Sequence, residues 1–120
     1  DLLNKESAPK VKHNDFINKV ILEISNKRLG ATAVLKDGNL KGIITDGDLR
    51  RMLEGNEQNF SNVTAERIMT LNPKTMNIDD LAYDGLIFMQ KNNINQLILV
   101  DKNRYIGIIH IHEIIKAGIV

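Results

Sequence analysis

The chain is written twice. Laying GIITDGDLRRML (42–53) over GIIHIHEIIKAG (107–118) sets an offset of 65 residues. The same offset carries ATAVLKDGNLKGII onto QLILVDKNRYIGII without a gap, and puts Asp15 over Asp80, Leu22 over Ile87 and Leu29 over Ile94. Only the Pro9/Pro73 pair slips, by one residue, as a loop insertion would make it do. Two copies share 120 residues, and a unit of about 60 residues buries too little surface to be comfortable alone. The copies are therefore expected to pack against each other about a pseudo-two-fold axis.

Each copy reads as β-α-β-β-α. A short extended piece follows the proline, Lys10–Lys12 in the first copy and Thr75–Asn77 in the second. Asn14 and Asp79 then offer N-caps for a helix with apolar residues at three- and four-residue spacing. Those residues are Phe16, Ile17, Val20, Ile21 and Ile24, then Leu81, Leu86, Ile87 and Met89. Two apolar strands follow, split by Asp37-Gly38 or by Lys102-Asn103, and Asp-Gly is a strong two-residue hairpin signal. A second helix closes each copy, Asp46–Leu53 and His112–Ala117. Strands such as AVL, GII and LILV are apolar throughout, as strands buried on both faces are. The fold class is α+β, with the first repeat and its following loop over 1–62 and the second over 63–120. Between them, 54–62 is polar loop, and Thr64 offers a cap for a short helix that ends near Met69 or Thr70 before an extended Asn72-Pro73.

Composition removes several functions. A net charge of +1 gives no electrostatic case for nucleic acid or an anionic membrane. No apolar run approaches the ~18 residues of a membrane-spanning helix. With no Trp, two Tyr and three Phe, base-stacking platforms are not expected. The absence of Cys rules out disulfides and thiolate metal sites and fits a cytoplasmic protein.

The join between strand and helix at TDGD holds the first copy's chemistry. Thr45 and Asp48 have the spacing of a capping box, in which a hydroxyl accepts from the third backbone N–H of the helix and an acidic residue reaches back. The same helix start exposes N–H groups and the positive end of the helix dipole, which suit a phosphate. A carboxylate one turn in can accept from vicinal sugar hydroxyls, and Gly47 lets a ligand approach the backbone. Both roles stay open on the local residues.

VTAERIMTLNP (63–73) resembles the lead-in segment of a CBS domain, and Gly42-Ile43-Ile44-Thr45 with Asp48 resembles its closing motif. With the repeat, the chain resembles a tandem CBS pair from end to end, and DLLN at its start looks like the remnant of the first lead-in segment of a truncated chain. LGATAVL, TDGDLRRML and the ending GIIHIHEIIKAGIV are similar to the C-terminal regulatory half of arabinose 5-phosphate isomerases, where a sugar-isomerase (SIS) domain precedes the CBS pair.

The resemblance implies a nucleotide or nucleotide-sugar effector, AMP, ATP or CMP-Kdo, in the cleft between the copies. Thr45, Asp46, Gly47 and Asp48 would hold phosphate and ribose, with Val11, Lys12, Gly30, Ala31 and Thr32 completing the pocket. The second copy departs from the pattern. His110 stands at the position of Thr45, Glu113 at that of Asp48 and Gln96 at that of Ala31, which puts an ordinary nucleotide mode there in doubt.

His110, His112 and Glu113 invite a metal reading, but a strand giving way to helix between them spoils their shared face. These groups are expected to line a second pocket or a subunit interface and to lend pH sensitivity. No nucleophile constellation or phosphate loop is present, so catalysis would lie on a separate SIS domain. The expectation is a regulatory module that pairs as a homodimer within a homo-oligomer, binds its effector and serves Kdo and lipopolysaccharide precursor synthesis. The alternative is an assembly element with vestigial sites.

Overall fold

The computed structural model describes residues 8–55, 60–80 and 82–116. Its elements are β1 (Lys10–Lys12), α1 (Ile17–Lys27), β2 (Ala31–Lys36), β3 (Asn39–Thr45), α2 (Asp46–Glu54), α3 (Ala65–Ile68), β4 (Thr70–Leu71), β5 (Thr75–Asn77), α4 (Ala82–Lys91), β6 (Gln96–Asp101), β7 (Arg104–His110) and α5 (Ile111–Lys116). A 3-10 turn over Ile78–Asp80 precedes α4. This is the α+β order the repeat predicts, with one strand more.

The described residues form two units, one over 9–73 and the other over 74–116 with Ala8. In the first, the sheet order is β1-β2-β3-β4, with β1 parallel to β2 and the rest antiparallel. In the second, β5-β6-β7 repeats the first three. Segment 63–73, numbered with the second repeat, packs inside the first unit: Val63 and Ala65 join Val11, Ile17, Val20, Ile24, Val34 and Ile44 in its core. The second core gathers Leu86, Met89, Leu97, Leu99 and Ile109.

Register repeats as strictly as sequence. Ala31 pairs Thr45 and Gln96 pairs His110, the same pair 65 residues on. Both hairpins shift register at one place, between Val34 and Leu35 and between Leu99 and Val100, with Lys41 and Ile106 as the extra residues. Both turn pairs take positive φ, Asp37 and Gly38 at 53° and 80°, Lys102 and Asn103 at 51° and 66°. Such a pair matches the right-handed twist of the strands it joins.

Helix starts differ from expectation. Asn14 does not cap α1; Phe16 holds the N-cap position without a side-chain bond. The helix is instead started by tertiary contact, with the Ile17 N–H donating to the Val63 carbonyl at 2.9 Å. Asp79 lies within the 3-10 turn, its N–H donating to Asn77 Oδ1 at 3.0 Å. Thr64 is the N-cap residue of α3 but makes no side-chain cap bond. The Ala65 and Glu66 N–H groups donate to the carbonyls of Asp15 and His13, so the first unit's own backbone replaces the hydroxyl. Asn72 takes a left-handed φ of 52° rather than extending, which Asn tolerates. Of the expected apolar stripe, Ile17, Val20 and Ile24 are buried whereas Phe16 and Ile21 are exposed, as is Ile87 in α4. Leu81 falls outside the described residues.

β4 was not legible beforehand. Two residues lie against Gly42 and Ile43 of β3. Gly42 admits them because a Cβ there would come within 2.7 Å of the Thr70 carbonyl and 2.8 Å of Met69 Sδ.

Candidate functional site

β3 ends at Thr45 and α2 begins at Asp46, so the strand delivers its last side chain to the helix N-terminus. Thr45 is extended, with φ −107° and ψ 171°, and the capping box is complete. Its Oγ1 accepts from the Asp48 N–H at 3.3 Å, and Asp48 Oδ2 accepts from the Thr45 N–H at 2.9 Å and from its hydroxyl at 3.2 Å. The cap reading is thus realised. Oδ1 accepts from the Arg51 guanidinium and from the Thr70 hydroxyl, the latter at 3.0 Å. Asp48 is 6% exposed, the one buried charged residue of the described core, and four donors surround it. A carboxylate that deep needs such company. Thr70 went unseen in the sequence, because β4 is a tertiary pairing 22 residues from Asp48 with no local pattern of its own.

Asp46 is exposed and Gly47 half-buried at the head of α2. A Cβ at Gly47 would meet Thr45 Oγ1 at 3.4 Å and Arg51 Nη1 at 3.5 Å, ordinary contacts that leave room for a methyl group. Beside Asp48 lies an open depression of about 300 Å³ walled by Arg51, Met52, Gly55, Arg67 and Ile68.

The remaining expected residues divide. Ala31 and Thr32 are fully buried, and the Thr32 hydroxyl donates to the Ala33 carbonyl at 3.2 Å. Val11 belongs to the apolar core, while Lys12 is exposed on the other face of β1. Val11 and Lys12 border a separate depression of about 600 Å³ with Lys10, His13, Lys19 and Asp37. Thr45 and Asp48 are not among its walls.

In the second copy the imidazole replaces the hydroxyl as a cap. His110 Nδ1 accepts from the His112 N–H at 3.1 Å, and Glu113 Oε1 accepts from the His110 N–H at 2.9 Å. The two rings stack at 4.7 Å between centroids. Burial and the neighbouring His112 hold the His110 pKa below its ordinary 6.5, against the opposing pull of Glu113. Gln96 pairs with His110 across the sheet and is half-buried. Among the described residues no group of three His, Cys, Asp or Glu side chains is placed to hold a metal ion. None of the described helices is long and apolar enough to cross a membrane.

Comparison with known proteins agrees with the repeat. The CBS domain family profile matches residues 1–55 and 65–119. The chain belongs to the CBS domain family, as a tandem pair. This CBS pair is 44% identical over 109 residues to arabinose 5-phosphate isomerase KdsD of Francisella tularensis, covering 90% of the chain and 33% of that protein. It is 36% identical over 116 residues to KdsD of Pseudomonas aeruginosa, covering 95% of the chain and 35% of the relative. The chain therefore spans about a third of the length of these curated relatives. Among solved structures, the CBS domain protein PAE2072 of Pyrobaculum aerophilum complexed with AMP superposes with a TM-score of 0.79 at 20% identity, over 93% of this chain and 86% of that one. CBSX2 in complex with AMP gives 0.78 at 17% identity, over 98% and 91%. At those identities the likeness carries the fold.

Proposed function

We propose that this CBS pair is the regulatory module of an arabinose 5-phosphate isomerase and that its first copy binds a nucleotide effector at the head of α2. The 44% identity to KdsD over nearly the whole chain carries the parentage. The parent would interconvert ribulose 5-phosphate and arabinose 5-phosphate on a SIS domain, in the cytoplasm, for Kdo and lipopolysaccharide synthesis. AMP in the two structural neighbours favours an adenine nucleotide, AMP or ATP. CMP-Kdo, as an end product of the pathway, is the competing effector. Regulation follows only if the effector binds two states of the parent unequally.

One observation favours a second reading. Every donor around Asp48 is internal, which is what a pure helix cap requires, and the module would then serve to assemble a homodimer. Gly47→Ala separates the two. Its methyl group fits and its φ is not left-handed, so the protein keeps or gains about 0.5 kcal/mol of stability. A ligand that needs the bare backbone loses its approach. Calorimetric titration with AMP, ATP and CMP-Kdo should show saturable binding of one of them, weakened at least about ten-fold by the substitution, a loss of roughly 1.4 kcal/mol. No heat from any of the three, with a well-folded chain, would leave the assembly reading.

A further inference from the structure

The carboxylate of Asp48 is saturated. Oδ2 takes the Thr45 N–H and hydroxyl, and Oδ1 takes Arg51 and the Thr70 hydroxyl. Since a carboxylate offers about four lone-pair sites, a ligand hydroxyl that donates to Asp48 must exchange with a donor already there.

The four donors are not equally easy to release. Losing the Thr45 N–H opens the capping box and strands that group at a half-buried position, while the Thr45 hydroxyl is held beside Oδ2 by the Asp48 N–H that its oxygen accepts. Arg51 is exposed, yet it is the charged partner of a carboxylate whose side chain is 5% exposed. Thr70 is neutral, exposed, and comes from a two-residue strand, so its released hydroxyl passes straight to water. It is also the one donor of the four that belongs to neither β3 nor α2.

We propose that Thr70 is the exchangeable partner of Asp48, a positioning residue whose hydroxyl competes with ligand hydroxyls for this carboxylate and so sets the affinity of the site. The inference rests on the nucleotide reading of Asp48. It assigns Thr70 an effect opposite in sign to that of a supporting residue: removing its hydroxyl strengthens binding.

The test is calorimetric titration of the full chain with AMP, on the parent sequence and on Thr70→Val, Thr70→Ser and Gly47→Ala. Val keeps the size and the β-branched shape of Thr, so β4 is retained, and urea unfolding of each variant checks this. Exchange requires Thr70→Val to tighten AMP binding roughly three- to ten-fold, the worth of one net hydrogen bond, with Thr70→Ser restored to the parent affinity. Unchanged or weakened binding in Thr70→Val, while Gly47→Ala still weakens it about ten-fold or more, overturns the exchange and leaves the nucleotide site standing. Binding indifferent to Gly47→Ala, or no binding by AMP or by ATP or CMP-Kdo titrated in its place, overturns the nucleotide reading and the exchange together.

Discussion

At position 110 an imidazole does the work of the hydroxyl at 45, one amide earlier in the helix. Thr45 Oγ1 accepts from the third helical N–H, His110 Nδ1 from the second. That bond needs an unprotonated Nδ1, and a second ring, His112, is stacked against it. The folded pKa of His110 lies below 6.5, first from burial, then from His112, with Glu113 opposing. A lowered folded value means that the unfolded chain takes the proton first as pH falls. The stabilisation is therefore complete above about 6.5 and is lost as pH drops through the folded pKa. Urea midpoints should fall between about pH 7.5 and about pH 5, and His110→Thr should flatten that dependence. A T-x-x-D spacing offered the first cap, beside a ligand role. The second was legible only as a departure, because no rule of spacing says that an imidazole will cap through Nδ1.

At the scale of elements, turn chemistry was readable and contacts made across the fold were not. Asp37-Gly38 places glycine at a φ of 80°, where a Cβ is strained although nothing lies within 4 Å of it. Gly38→Ala should cost about 1 kcal/mol in urea unfolding through the backbone alone. Lys102 holds a φ of 51° in the matching turn, and Lys102→Asn should gain about 0.5 kcal/mol, since Asn adopts that region more readily. The start of α1 departs from the sequence expectation for the opposite reason. Asn14 has the right chemistry for a cap, but Val63, nearly fifty residues on, supplies the carbonyl that meets the Ile17 N–H. β4 escaped notice because a two-residue strand has no periodicity to read; it exists because Gly42 lets it lie close. Lys12 and Thr45 stand at opposite ends of β2, beside Leu35 and Ala31, and border no common depression within the first unit.

Across the whole molecule, the constant offset made two copies of one topology legible, and the sheets repeat it to the residue. What the offset could not foresee is that 63–73 packs with the copy preceding it, through backbone bonds to His13 and Asp15 and through Val63 and Ala65 in the core. On the proposed parentage, catalysis is expected outside this chain. Purified on its own, this chain should produce no ribulose 5-phosphate from arabinose 5-phosphate in a coupled assay, and turnover above the uncatalysed rate would sink the regulatory assignment. The shared bulge at Lys41 and Ile106 keeps both hairpins in phase, so a side chain moved by 65 positions arrives on the same face with the same strand neighbour. The molecule thus contains its own paralogue, and grafting His110→Thr with Glu113→Asp asks of one half a question that the other half has already answered.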